Sequence, residues 1–143
     1  MIIWAHGLWG NPNGSKVTAI RDSGIKINSP DFNDMELEER VELLSNLVSN
    51  ENVTLVGSSY GGLACALVAQ KYSGNVNGML LLAPALHLPE SPNDKPEELI
   101  APINFPITII HSFTDEIVPI SASKDYIKRS GNNLRLIEVE DSH

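Results

Sequence analysis

The feature that most constrains this chain is a series of short apolar runs, each closed by a turn and followed by a helix-forming stretch. The runs are Ile2 to Ala5, Val53 to Val56, Val76 to Ala83, Ile107 to Ile110 and Leu134 to Val139, with a weaker one at Ile25 to Ile27. Runs this short and this apolar read as strands buried on both faces, which implies a parallel sheet. The stretches between them read as helices. Ser15 is placed to cap a short helix ending near Gly24, and Asp34 to open a longer one whose buried face carries Leu37, Val41, Leu44 and Val48. Leu63 to Tyr72 and Ser121 to Ile127 complete the set, the last closed by Gly131. Strands alternating with helices predict an α/β fold, a mostly parallel twisted sheet with helices on both faces. In such sheets ligand sites form at the carboxyl ends of the strands.

Composition narrows the function classes. With 143 residues, 42% of them hydrophobic, the chain suits a single domain spanning 1–143 around one core. A net charge of -8 opposes a nucleic-acid partner or an anionic membrane surface, since both require an excess of Lys and Arg. The single cysteine, Cys65, lies among Leu63, Ala64, Ala66 and Leu67 and reads as a buried structural thiol. The apolar N-terminus reaches His6 and Gly7 too soon for a signal segment, and no stretch is long enough to span a bilayer. A cytoplasmic protein is therefore expected, with its oligomeric state left open.

Four segments at strand ends carry the chemistry. The strongest is Gly57-Ser58-Ser59-Tyr60-Gly61-Gly62, a Gly-x-Ser-x-Gly pattern directly between a strand and a helix. That context is what a nucleophile elbow requires, with Ser59 exposed at the helix N-terminus and glycines where neighbouring side chains would not fit. A serine nucleophile needs a general base, and the base needs a carboxylate to orient it. Downstream, the strand at Ile107 to Ile110 leads to Asp115, and the strand at Leu134 to Val139 leads to His143. The expected trio is therefore Ser59, Asp115 and His143, with Glu116 the rival acid and His111 and His87 the lesser candidates for the base. The fourth segment, His6-Gly7-Leu8-Trp9-Gly10, follows the first strand. A tetrahedral intermediate needs two backbone N–H donors. Leu8 and Tyr60 are the expected pair, and His6 is expected to brace the loop rather than to react. Trp9, Leu86, His87 and Val118 are the candidate substrate contacts. The Pro-rich stretch from Pro84 to Pro106 reads as a short lid-like segment, with Leu86 and His87 overhanging the serine.

Taken in order, His6-Gly7-x-x-Gly10, Gly57-x-Ser59-x-Gly61-Gly62, Asp115-x-x-Val118-Pro119 and Asp141-Ser142-His143 resemble the α/β-hydrolase superfamily, and more narrowly its small single-domain bacterial serine esterases. The resemblance covers essentially the whole chain. It implies hydrolysis of small carboxylic esters or thioesters through an acyl-enzyme on Ser59, with an acyl ester as the small-molecule partner and with no cofactor and no metal. Two departures accompany it. The sequence opens at what would be the third strand of the family, so a minimal core lacking the leading antiparallel strands is expected. It also stops at His143, where relatives usually continue into a helix.

Other readings stay open on sequence alone. A thioesterase or another acyl hydrolase would use the same residues, and a non-catalytic binding protein could share the fold. A phosphate-binding loop is a poor fit. Gly10 to Lys16 has Gly-Ser-Lys where that motif needs Gly-Lys-Ser/Thr, and three residues rather than four between its glycines.

Overall fold

The computed structural model describes residues 1–49, 52–88, 95–103, 105–131 and 134–143. Five strands, β1 (Ile2–Ala5), β2 (Val53–Ser58), β3 (Val76–Leu82), β4 (Ile107–Ser112) and β5 (Leu134–Val139), form one sheet in the order β1-β2-β3-β4-β5. Every pairing is parallel, with Ile3 opposite Leu55, Leu55 opposite Met79, and Ile109 opposite Leu136. Four α-helices accompany it: α1 (Ser15–Asp22), α2 (Leu37–Val48), α3 (Tyr60–Lys71) and α4 (Ile120–Ser130).

Side chains on a strand alternate between the two faces of the sheet. Ile3, Ala5, Leu55, Leu81 and Ile109 point to one face, where they join Leu44 and Val48 of α2, Leu63 and Val68 of α3 and Tyr126 of α4 in the main core. Trp4 and Val56 point to the other, where they meet Val17 of α1 and Ile27. Helices thus flank both faces, but unevenly. Because the strand order never reverses, crossovers of one hand fall on one side, and α1 alone lies opposite.

Several local expectations shift for identifiable reasons. Ile25 to Ile27 is not a strand. Only Asn28 pairs with β1, donating its N–H to Ile2 and accepting from Trp4 at 2.8 and 2.7 Å, before Ser29-Pro30 turns the chain away. Gly14, not Ser15, occupies the cap position of α1. Asp34 does not open α2. It sits in a turn at φ 61°, a conformation aspartate tolerates, and the helix starts three residues beyond it, at Leu37, capped by Glu36, whose N–H donates to the Glu39 carboxylate at 3.1 Å. Pro119 rather than Ser121 precedes α4. Helix α3 begins at Tyr60, three residues early, because Ser59 itself is the cap and Gly61 and Gly62 are helical. Cys65 is fully buried, and burial pushes its thiol up to about 12. Of the expected lid-like segment, residues 89–94 and 104 lie outside the described residues.

The contact that sets the position of α3 is made where a side chain is missing. A Cβ on Gly61 would lie 2.1 Å from the Ala5 carbonyl oxygen and 2.5 Å from that of His6, both backbone atoms at the end of β1. One on Gly57 would lie 2.8 Å from the Cys65 sulfur. Glycine is required at both places by close approach, not by its dihedral freedom. Gly61→Ala is therefore expected to destabilise the fold by about 3 kcal/mol or more, since the obstacle is backbone and cannot swing aside. A denaturant-unfolding series comparing it with the exposed control Gly74→Ala, which meets nothing within 4 Å, checks this.

Candidate active site

All five strands deliver a piece of one site at their carboxyl ends. From β2 the chain turns sharply through Ser59, whose φ of 54° and ψ of -116° are sparsely populated by any residue other than glycine. The turn is held from outside. Ser59 donates its N–H to the Leu82 carbonyl of β3 at 3.0 Å, and its own carbonyl accepts from the N–H of Leu63 at 3.2 Å and of Ala85 at 2.9 Å. These bonds over-determine the strained backbone and hold the hydroxyl outward at the start of α3.

The loop after β4 supplies the carboxylate. Asp115 folds its Oδ1 back onto its own loop, accepting from the N–H of Ile117 at 2.9 Å and of Val118 at 2.8 Å. Its Oδ2 accepts from the Nδ1 of His143 at 2.7 Å. The side chain has no exposed surface. Burial alone would raise its pKa, but the Val118 N–H, the His143 ring and the Ile117 N–H together outweigh this and hold the carboxyl below its ordinary 3.8. His111 braces the same loop. Its Nε2–H donates to the Val118 carbonyl at 2.9 Å and lies 3.4 Å from Asp115 Oδ2, while its Nδ1 accepts from the Ser123 hydroxyl at 2.8 Å. Both ring nitrogens are thereby committed to structure.

The loop after β5 brings His143 to the other two. Because Asp115 can only accept, the His143 Nδ1 carries the proton, and the bare Nε2 accepts from the Ser59 hydroxyl at 3.0 Å. This loop is clamped to β4 by Ser112, whose hydroxyl donates to the Asp141 carbonyl at 2.5 Å and accepts from the Asp141 N–H at 3.0 Å and the Thr114 N–H at 3.1 Å. Ser112 carried no signal in the sequence, since one serine at a strand end resembles any other.

The loop after β1 lies against the elbow. A Cβ on Gly7 would be 3.5 Å from both the Ser58 carbonyl oxygen and the Ser59 Cβ. His6 is buried and accepts the Phe32 N–H on Nε2 at 2.9 Å, so its Nδ1–H donates to the Gly7 carbonyl at 2.8 Å. Burial keeps this imidazole neutral by lowering its pKa. The residue that sequence reading missed here is Arg40 of α2, which is 1% exposed. Its guanidinium donates to the His6 carbonyl at 2.7 Å and reaches the Gly7 carbonyl at 3.5 Å and that of Met35 at 3.4 Å. The rings of Phe32 and Tyr60 lie 5.5 and 4.9 Å away. At helical spacing Arg40 shares the buried face with Leu37, Leu44 and Val48, and that was the one available signal.

A cavity of about 660 Å³ opens over Ser59, walled in part by Leu8, Trp9, Leu82, Ala85, Leu88 and Ile117. Trp9, His87 and Val118 border it as expected, Trp9 almost fully exposed. Leu86 does not. It is 1% exposed in the main core, and its neighbours Ala85 and Leu88 face the cavity instead. Among the described residues no cluster of His, Cys, Asp or Glu could hold a metal ion, and no helix is long and apolar enough to cross a membrane.

Because the Asp115 carboxyl is stabilised in its charged form by folding, that stabilisation is fully present above pH 3.8 and disappears as the pH falls through the lower folded-state value. Urea-unfolding midpoints of wild type and Asp115→Asn are therefore expected to differ more above pH 3.8 than below it, and to converge as the pH is lowered through the folded-state value.

Comparison with known proteins agrees with this architecture. A family model described as alpha/beta hydrolase fold matches residues 19–103. A provisionally assigned hydrolase of the alpha/beta superfamily from Xanthomonas campestris pv. campestris shares 25% identity, with 99% of this chain and 87% of that chain covered and a TM-score of 0.81. A monoacylglycerol lipase from Paleococcus ferrophilus superposes with a TM-score of 0.82 at 14% identity over 99% and 85%. Est1E from Butyrivibrio proteoclasticus, with ferulic acid bound, does so with 0.83 at 18% identity over 99% and 80%. No curated protein matches the sequence.

Proposed function

This chain belongs to the alpha/beta hydrolase fold family, and from that premise we propose that it is a serine hydrolase cleaving small carboxylic esters through an acyl-enzyme intermediate. The observation that carries the reading is the continuous relay from Ser59 Oγ to His143 Nε2 at 3.0 Å and from His143 Nδ1 to Asp115 Oδ2 at 2.7 Å. In the proposed reaction Ser59 Oγ attacks the ester carbonyl while its proton passes to His143 Nε2. Asp115 stabilises the resulting imidazolium and keeps the ring in the productive tautomer. The oxyanion of the tetrahedral intermediate is received by the backbone N–H groups of Leu8 and Tyr60, and the helix dipole of α3 adds to their field. Collapse expels the alcohol, which takes the proton from His143. Water then enters and gives a proton to the same nitrogen as its oxygen attacks the acyl carbon. The second tetrahedral intermediate breaks the bond to Ser59 Oγ, which takes the proton back from His143 as the acid leaves. The apolar walls of the cavity suit an acyl or alkoxy group of modest size. The whole arrangement is read as one domain, with Ala85, His87 and Leu88 beside the serine as part of its cover.

Labelling by a fluorophosphonate probe, with turnover of p-nitrophenyl esters of graded chain length beside an acyl-CoA, tests this. Wild type is expected to label on Ser59 and to favour the oxygen esters. Ser59→Ala and His143→Ala should each lower kcat by about 10⁴-fold or more, and Asp115→Asn by up to about 10⁴-fold. A folded wild type that neither labels nor turns over an ester would overturn the proposal. Preference for the acyl-CoA would move it to thioesters.

A further inference from the structure

Arg40 is a fully buried cation with, among the described residues, no carboxylate within 4 Å of it. Burying a charge without a counter-ion is costly unless polar groups replace its water. The groups that do so here are specific. Two of its contacts are the carbonyls of His6 and Gly7, and its Cζ lies over the ring of Tyr60, 4.9 Å from the ring centre. Gly7 and Leu8 share one peptide plane, in which the Leu8 N–H points opposite to the Gly7 C=O. The Gly7 oxygen is gripped by His6 Nδ1 at 2.8 Å, the Gly10 N–H at 3.1 Å and the Arg40 guanidinium at 3.5 Å. Holding that oxygen therefore aims the Leu8 N–H in the reverse direction. The same guanidinium packs on the residue that owns the other proposed donor.

We propose that Arg40 is the positioning residue of the oxyanion hole, tying the Gly7–Leu8 peptide and Tyr60 into one rigid unit from beneath. The inference rests on the serine-hydrolase reading above. It assigns Arg40 no contact with substrate. Its effect is on the placing of two N–H groups, reinforced by a buried positive charge behind the loop. A donor displaced by a fraction of an ångström binds the oxyanion poorly while leaving the substrate's apolar contacts unchanged. The loss should therefore appear in the transition state and not in ground-state binding.

The test compares wild type, Arg40→Met and Arg40→Lys by three readouts. These are kcat/KM for p-nitrophenyl butyrate, the inhibition constant of an alkyl boronic acid that forms a tetrahedral adduct on serine, and that of the uncleavable ether analogue of the substrate. Far-UV circular dichroism and thermal midpoints report folding. Arg40→Met is expected to lower kcat/KM about 10²-fold, the scale of one lost oxyanion donor. The boronate should weaken in proportion and the ether should not change. Arg40→Lys, which keeps the charge but not the forked geometry, should recover part of the loss and serves as the folded variant if methionine disrupts the core. Unchanged kcat/KM and boronate affinity in a folded Arg40 variant would overturn the inference, as would activity falling only with the folded fraction. Ser59 adduct formation in the wild type, read by mass spectrometry, separates the two proposals. An adduct with an indifferent Arg40 defeats this one alone, whereas no adduct defeats both.

Discussion

The rest of the structure depends on how closely the first turn of α3 approaches the last residue of β1. With 2.1 Å between a hypothetical Gly61 Cβ and the Ala5 oxygen, no other residue permits the same distance. That approach joins two segments more than fifty positions apart in sequence, the elbow holding Ser59 and the loop holding Gly7 and Leu8. The elbow could not otherwise sit so near the loop. Its strained backbone at Ser59 is tied on the opposite side by Leu82 of β3 and by Ala85 just beyond that strand. Strain at Ser59 is thus offset by ordinary backbone hydrogen bonds from the neighbouring strand and the turn after it.

The remaining two loops converge by a different device. Neither Asp115 nor His143 lies in regular structure, and a terminal loop left to itself frays. Here each is held by polar groups that take no direct part in the proposed chemistry. His111 and the Val118 peptide hold the acid, and Ser112 clamps the segment ahead of His143 through both backbone groups of Asp141. The consequence is a buried carboxylate facing a partly exposed imidazole. The carboxylate is screened from water while the imidazole remains open to the cavity. Two of the four histidines, His6 and His111, have both ring nitrogens engaged in bracing loops. His143 stands apart because the hydroxyl its Nε2 meets, that of Ser59, lies on the cavity, whereas the Ser123 hydroxyl that His111 meets is buried.

Arg40 links the fold to the site from below. A helix whose other inward residues are aliphatic carries one cation into the core, and the cation ends on the carbonyls of the loop above it. A hydrophobic residue of similar volume would pack there without leaving a charge to solvate. The arginine is therefore better understood through what it holds than through what it adds to stability.

The sequence by itself determined the architecture and the candidate trio whose side chains the fold brings together. The five strands, their parallel pairing and the order Ser59, Asp115, His143 follow from hydrophobic runs and turn residues that are local in the chain, and local patterns are what a sequence displays. Where it misled, as at Ile25 to Ile27, Asp34 and Leu86, the deciding contacts came from elsewhere: one bridge to β1, a turn ahead of α2, a place in the core. Only the tertiary structure decided that Gly61 is set by β1 rather than by the nearby serine, that Ser112 and His111 are braces, and that Arg40 lies under the loop after β1. Those roles depend on distances between residues many positions apart, and such distances exist only once the chain has packed.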